Sequence, residues 1–536
     1  MLYFPGTRVM HRLQRTARGL AFGIGAVAAM GAASVLGSAP LRAADPPPPE
    51  VSAVPIPDGQ IDKAISQLDR LAAGLMARSG IPGMAVAVVR DGRTVFAKGF
   101  GVRKAGETSP VNADTVFQIA SLSKSITGTV VAHEVATGTV SWDTPVVKHL
   151  PWFRLKDPWV TAHVTVADLL SHRSGLPDHA GDALEDLGYN RRQVLERLRL
   201  LPLSPFRSTY AYTNFGFTAG AEAVAAASGK DWSALAEEVI YKPLGMNSTS
   251  SRFADFEKRS NRAVGHVEVN GTFQAKYQRH PDAQSPAGGV SSSVNDLARW
   301  MAMVMQGGTF EGRQIVAAKA LLPAITAQTV STHSYASNAR PSFYGFGFDV
   351  GITPAGRMII RHSGAFAMGA STSFAIIPSA GIGIVVLTNA WPTGAAEALI
   401  ADFTDLVQFG RIERDWFAAY KPLMAPIIAA QGSLVGKPRP AHSAPAAKLS
   451  DYLGTYSNSF YGDLEIIGRR DALVLRIGPA GIEYPLTHWD GNAFTFNPSS
   501  ENQPDGSISL ATFRPEDRSV TIEYLNEDGL GTFVRK

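Results

Sequence analysis

The distribution of strand-like segments constrains the fold more than any other feature of the sequence. M-A-V-A-V-V-R (84–90), the dipeptide Asp91-Gly92 and R-T-V-F-A-K-G-F (93–100) predict a β-hairpin with a two-residue turn. The next strand-like segments are Y-G-F-G-F-D-V (344–350), M-I-I-R-H-S-G (358–364) and F-A-I-I-P-S-A-G-I-G-I-V-V-L-T-N (374–389). From Ser121 to about residue 330 the pattern is mostly helical, punctuated by Gly and Pro loops. A lone hairpin is marginal in water. The early and late strands are therefore expected in one antiparallel sheet, with a helical lobe inserted between them. Ile61, Ile65, Leu68, Leu71 and Leu75 recur at helical spacing and predict a first helix; Gly394 to Gln408 predicts the last. The expectation is an α+β domain over residues 60–435.

Beyond it, residues 436–448 form a Pro/Ala-rich linker, and about eight short alternating segments follow over 449–536. Gly, Asp and Asn turns separate them, which predicts a small all-β barrel or sandwich. Its aromatic residues Tyr484, Trp489, Phe494 and Phe496 read as core rather than as a ligand cage. At the other end, H-R-L-Q-R-T-A-R precedes an uncharged run from Gly19 to Leu41, and L-R-A-A-D offers a cleavage site after Ala43. Residues 1–43 thus read as an export signal, with a Pro-rich spacer over 44–59. Its Ala and Gly content and Pro40 favour cleavage over a retained anchor, and the expected location is periplasmic or secreted.

The charge supports that reading and weakens another. A pI of 9.1 invites a nucleic-acid function, but Arg8, Arg12, Arg15, Arg18 and Arg42 all lie in the signal. Without them 45 basic residues face 46 acidic ones, and no basic face remains to bind nucleic acid. The chain has no cysteine, so an exported form has no disulfides and cysteine catalysis is excluded.

The chemistry centres on F-Q-I-A-S-L-S-K-S-I-T-G (117–128). Lys124 follows Ser121 by three residues, so the two share a helical face, and the apolar flanks Phe117, Ile119, Ile126 and Val130 bury that helix. A buried lysine is costly unless it is used. A free lysine titrates near ~10.4, so service as a base near neutrality requires lowering it by roughly three units. No other serine in the chain has a lysine three residues on. H-E-V-A-T (133–137) lacks the second histidine of a zinc-protease helix, and no G-x-S-x-G elbow occurs.

In order along the chain, Ser121-Leu122-Ser123-Lys124, Tyr212-Thr213-Asn214 and His362-Ser363-Gly364 resemble the Ser-x-x-Lys, Tyr-x-Asn and Lys/His-x-Gly motifs of the penicillin-recognising serine hydrolases. That family includes class C β-lactamases, D-Ala-D-Ala carboxypeptidases, D-aminopeptidases and related esterases. V-T-V-A-D-L-L-S-H-R-S-G-L-P-D, K-P-L-G-M-N-S-T and S-P-A-G-G-V-S-S-S-V-N-D-L-A-R-W add to the resemblance, which covers about residues 60–410. Tyr456-Ser457-Asn458 and His179-Ala180-Gly181 also fit the later motifs, but the first lies beyond the linker and the second precedes Tyr212.

The resemblance implies a β-lactamase-like fold with a lipocalin-like C-terminal module, which in relatives covers the active-site mouth or mediates assembly. It implies Ser121 as nucleophile, Lys124 and Tyr212 as proton handlers, and His362 facing the substrate. Asn214, Ser363, Gly364 and Ala365 would contact substrate, with the N–H groups of Ser121 and Ala365 holding the oxyanion. Asp178, His172 and Arg173 are expected to be structural. A histidine in place of lysine in the third motif makes that cation conditional on pH, which favours a peptidase or amidase on small peptides. Substrates with D- or non-proteinogenic residues, such as linearised microcystin, fit this branch. A carboxylesterase and a class C-type β-lactamase are the alternatives, and a non-catalytic penicillin-type sensor is the reading from another class. No metal, cofactor or oligomeric state is implied.

Overall fold

The computed structural model describes residues 52–470 and 472–536, so the expected signal and the first half of the Pro-rich spacer lie outside the described residues. The predicted hairpin is formed by β1 (Gly83–Arg90) and β2 (Arg93–Gly101). Its turn residues Asp91 and Gly92 have φ of 50° and 77°, the left-handed pair that matches strand twist and that Asp-Gly tolerates.

The late strands are β3 (Thr329–Thr332), β4 (Ser342–Tyr344), β5 (Asp349–Ile352), β6 (Met358–Phe366), β7 (Ala370–Ile377) and β8 (Ile382–Thr388). They complete one antiparallel sheet in the order β2-β1-β8-β7-β6-β5-β4-β3. Met84 of β1 pairs with Thr388 of β8, which joins the two ends of the long segment as the pattern required. Both sheet faces are covered, and this is why β1, β7 and β8 read as nearly continuous apolar runs. Met84, Val86 and Val88 pack with α1 (Gln60–Ser66), α2 (Leu68–Ser79) and the late helix Ala395–Phe409, while Ala85, Ala87 and Val89 face the inserted lobe. Burying one such valine side chain contributes roughly 1.5–3 kcal/mol.

The single amphipathic helix expected near the start is two helices, broken at Gln67. In the lobe, α3 (Leu122–Ala136) and α4 (Asn214–Ser228) carry the first two motifs at their N-termini, and α5 (Val294–Met305) packs against β1 and β8. The last expected helix is α6 (Ala395–Phe409), with Gly394 as its left-handed N-cap. A further helix, α7 (Trp416–Ile428), was not legible because Pro422 and Pro426 lie inside it. Asp415 caps it by accepting from the Ala418 N–H, and it packs along α6.

The C-terminal segments form a closed eight-stranded antiparallel barrel from β9 (Gly454–Asn458) to β16 (Thr532–Arg535), closed by pairing of β9 with β16. Its interior is packed with side chains such as Leu464, Leu475, Phe494, Phe513 and Phe533. Phe494 and Phe496 are core, as expected, whereas Tyr484 and Trp489 are half-buried. The barrel docks on the lobe through polar contacts. Tyr189 donates to the Tyr461 carbonyl at 2.8 Å, and Ser500 and Asn502 donate to Asp186 at 2.7 and 2.9 Å.

Candidate active site

The site forms where α3, the start of α4 and β6 meet. Ala120 has a left-handed φ of 47°, unusual for a residue with a Cβ, and this turn presents Ser121 at the N-cap of α3. A serine there usually caps its helix, but the Ser121 side chain makes no capping bond. Its Oγ instead lies 3.2 Å from Lys124 Nζ and 2.9 Å from the Tyr212 hydroxyl.

Lys124 is fully buried and its Nζ also donates to Asn214 Oδ1 at 2.7 Å and to the Ala287 carbonyl at 3.0 Å. Burial pulls its pKa down to about 7, against the opposing charge of Asp182. Burial pushes the Tyr212 phenol well above its ordinary value, a shift that outweighs its hydrogen bond to Ser121. At neutral pH the phenol therefore keeps its proton, while a large share of the lysine is free amine. Those properties suit Lys124 to accept a proton and Tyr212 to donate one.

Asn214 sits between Lys124 and Asp182: its Oδ1 accepts from the lysine, and its Nδ2 donates to Asp182 Oδ2 at 2.9 Å. One amide N–H remains for a substrate. The sequence reading missed Asp182, whose same oxygen lies 2.9 Å from His179 Nδ1. Burial alone would lower the pKa of His179, but the hydrogen bond and charge of Asp182, with the charges of Asp178 and Glu527, raise it to about 9. His179 belongs to the His-x-Gly sequence set aside above; it lines the site from a loop, not from a strand.

His362 is buried on β6. Its Nδ1 lies 2.7 Å from the Ser363 carbonyl, which only accepts, so Nδ1 carries the proton and Nε2 accepts from the Tyr344 hydroxyl at 2.9 Å. Burial also holds its pKa below the ordinary histidine value. The ring is neutral at pH 7 with both nitrogens engaged within the protein. The conditional cation expected in the third motif is thus uncharged here.

The strand β5 pairs with β6 only as far as Arg361, so Ser363, Ala365 and Phe366 line the cavity along an edge left open. Gly364 lets this strand lie against the turn that presents Ser121. A Cβ there would come within 2.5 Å of the Ile119 carbonyl oxygen and 2.8 Å of the Ser121 nitrogen. Gly364→Ala is expected to push β6 off Ser121 and lower kcat/KM by roughly 10²-fold, since ångström-scale misplacement costs about that much. Steady-state kinetics beside a thermal melt would check it; a folded variant with unchanged kcat/KM contradicts the close approach.

Of the three residues read as structural, Arg173 binds Asp168 at 2.8 Å and His172 Nδ1 accepts from the Thr213 N–H at 3.2 Å, bracing the second motif from behind. Asp178 lines the cavity instead, and burial raises its carboxyl to about 6. Tyr456 lies in the barrel core, donating to the Tyr452 carbonyl.

The cavity over Ser121 measures about 750 Å³, and both the lobe and the barrel line it. Phe460, Tyr461, Glu501, Tyr524 and Glu527 are its barrel residues of note. Glu501 accepts from the Ala367 and Met368 N–H groups at 2.8 and 3.3 Å, gripping the turn that follows β6. Nothing in the strand pattern of the barrel announced this contact.

An activatable serine, a buried amine of low basicity and a phenol, gathered beside an open strand edge, make this the site of a serine hydrolase. The chain belongs to the Beta-lactamase family, whose model matches residues 68–409, and is a member of the penicillin-recognising superfamily. A model described as a domain of unknown function (DUF3471) matches residues 438–533. The unguisins hydrolase ungD of Aspergillus violaceofuscus is 27% identical over 420 residues, 72% of this chain and 74% of that protein. The D-alanyl-D-alanine-carboxypeptidase/endopeptidase AmpH of Escherichia coli is 27% identical over 347 residues, 63% of this chain and 88% of that one. The octameric penicillin-binding protein homologue from Pyrococcus abyssi superposes with a TM-score of 0.56 over 86% of this chain and 98% of that one. At 22% identity that likeness concerns the fold alone. Among the described residues, no helix is long and apolar enough to cross a membrane.

Proposed function

We propose that this serine hydrolase is an exported peptidase or amidase that cleaves small peptides through an acyl-enzyme on Ser121. The observation that carries the reading is the fully buried Lys124 amine, 3.2 Å from Ser121 Oγ and with its pKa near 7. Neutral Lys124 takes the hydroxyl proton as Oγ attacks the carbonyl carbon. The N–H groups of Ser121 and Ala365 hold the resulting oxyanion. The proton passes to the leaving nitrogen, by way of the Tyr212 hydroxyl, and the C–N bond breaks to leave the acyl ester. Water then attacks that ester, giving its proton back through Lys124, and Ser121 leaves reprotonated.

Peptide substrates are supported by the names of two relatives, a hydrolase of unguisins and a D-alanyl-D-alanine carboxypeptidase/endopeptidase. A neutral, occupied His362 offers no cation to a substrate carboxylate, which weighs against a dedicated β-lactamase. The barrel wall favours short substrates over polymers. Peptides with D- or non-proteinogenic residues, linearised microcystin among them, are the first to screen.

The test is kcat/KM for an amide and an ester sharing one acyl group. Serine-dependent amide turnover comparable to the ester supports the peptidase. Turnover of the ester alone assigns a carboxylesterase, and binding without turnover assigns a sensor.

The same assay gives a pH prediction. If Lys124 is the base, kcat/KM rises with pH through a limb near 7, as the amine loses its proton. The negative charge of Asp182 favours the ammonium form, so Asp182→Asn is expected to move that limb to lower pH. An unmoved limb would mean that Asp182 orients Asn214 without setting the proton affinity of Lys124.

A further inference from the structure

We propose that the side of the cavity where lobe and barrel meet binds an ammonium group of the substrate, between Asp178 and Asp182 of the lobe and Glu527 of the barrel. The inference rests on the hydrolase reading and adds the charge of what is hydrolysed.

Two independent observations carry it. The first is a pair of buried, unsatisfied oxygens. Asp182 is only 5% exposed and lines the cavity, and among the described residues its Oδ1 has no hydrogen-bond partner, although Oδ2 has two. Asp178 lines the same wall, and its Oδ1 is also buried without a partner among the described residues. A buried acceptor left without a donor costs about 1–3 kcal/mol, more for a charged group, so an N–H donor with positive charge is the complementary ligand.

The second is the charge balance of the whole lining. Among the described residues, seven acidic side chains line the cavity, with burial raising those of Asp178, Asp186 and Glu501, against two groups that hold positive charge, His179 and Arg279. Arg279 is spent on Glu185 at 2.5 Å and faces Glu501 at 3.9 Å. His179 is bound to Asp182. Glu527 lies close enough for its charge to act on both Asp178 and His179, and it is exposed on its barrel loop. The field is negative from both domains, and clefts walled by one sign of charge concentrate the opposite ion. On the β6 side, His362 has both nitrogens occupied and gives an anionic substrate no counter-charge. An α-ammonium and a lysine-type side chain share the required chemistry.

The experiment uses the full chain and one acyl group, glycyl-D-alanyl or its L-isomer, as p-nitroanilides and as p-nitrophenyl esters. Each is made with a free α-amine, N-acetylated and N-succinylated, and a fourth version carries N-acetyl-lysyl in place of glycyl. The free amine is expected to exceed the N-acetyl compound in kcat/KM by about tenfold or more, the ratio worth 1.4 kcal/mol. The succinyl compound is expected to be slowest. Raising ionic strength from about 0.05 to 0.5 M should shrink the ratio by screening, and Glu527→Gln and Asp178→Asn should each lower it. A lysyl compound that outruns the free amine assigns the ammonium to a side chain rather than to a chain terminus. Equal or better turnover of the acetyl and succinyl compounds overturns the ammonium site and leaves the hydrolase intact. Wild-type ratios in both variants overturn its location. No Ser121-dependent turnover of any ester or anilide overturns both readings together.

Discussion

Ser121→Ala is expected to leave a folded protein whose kcat/KM on every acyl substrate is at least about 10³-fold lower. Losing the nucleophile of a serine hydrolase leaves only what binding and oxyanion donors supply. The fold should tolerate the change, because Ser121 makes no capping bond and, among the described residues, its Oγ is bonded to Lys124 and Tyr212 alone. Replacing a serine that does cap its helix costs ~1 kcal/mol. The expected shift in Tm is therefore smaller than for an ordinary N-cap. Paired kinetics and melts on the same preparation separate loss of chemistry from loss of structure. Undiminished turnover in a folded Ser121→Ala protein would remove the nucleophile from the account.

Lys124→Met is expected to lower kcat by about 10²–10⁴-fold, the usual contribution of a positioned general base, with little loss of stability. Two terms oppose each other. Asn214 Oδ1 and the Ala287 carbonyl lose their donor, at about 1–3 kcal/mol each. Against this, depressing the lysine from 10.5 to about 7 disfavours its charged form by roughly 5 kcal/mol, and methionine carries no such penalty. The sign over pH follows from linkage. The folded protein binds fewer protons than the unfolded chain between pH 7 and 10.5, so the penalty is complete below about 7 and vanishes above 10.5. Relative to wild type, the variant should be most stable at or below neutral pH and lose that advantage as pH rises. Thermal melts at pH 6.5 and 9.5 test this; a constant difference would mean the buried lysine is charged throughout, contrary to the proposed base.

The parts of the molecule that were legible in the sequence are those set by local spacing. Asp91-Gly92 announced its turn through backbone conformations that few other pairs tolerate. The apolar runs of β1, β7 and β8 marked them as strands of one sheet, though not that both of its faces are covered. Ser121 and Lys124 were legible because three residues on a helix place them side by side, and Tyr212, Asn214 and His362 followed from motif order. The structure brings Ser121, Lys124, Tyr212 and Asn214 into one hydrogen-bonded cluster, with His362, Ser363 and Ala365 lining the same cavity.

The remainder depends on contacts that leave no periodic trace. His362 is fixed by Tyr344 of β4, two strands away across β5, which turns an expected conditional cation into a neutral acceptor. His179 lies in a Gly/Pro-rich loop and Asp182 opens the short helix Asp182–Asp186 after it, where nothing marks one carboxylate above its neighbours. Glu501 and Glu527 reach the cavity from barrel loops, far along the chain from Ser121. Alternation in their flanking strands predicts a barrel but not which of its loops lies over the catalytic domain. Helix α7 was hidden by two prolines that the fold accommodates.

The most direct test of the central claim is the mass of the covalent intermediate. The protein would be mixed with an acylating p-nitrophenyl ester, quenched in acid during turnover, and examined intact and after digestion. One added acyl group is expected, located on the peptide that contains Ser121 and missing from Ser121→Ala. An acyl group on any other residue, or turnover that survives in Ser121→Ala, would contradict it.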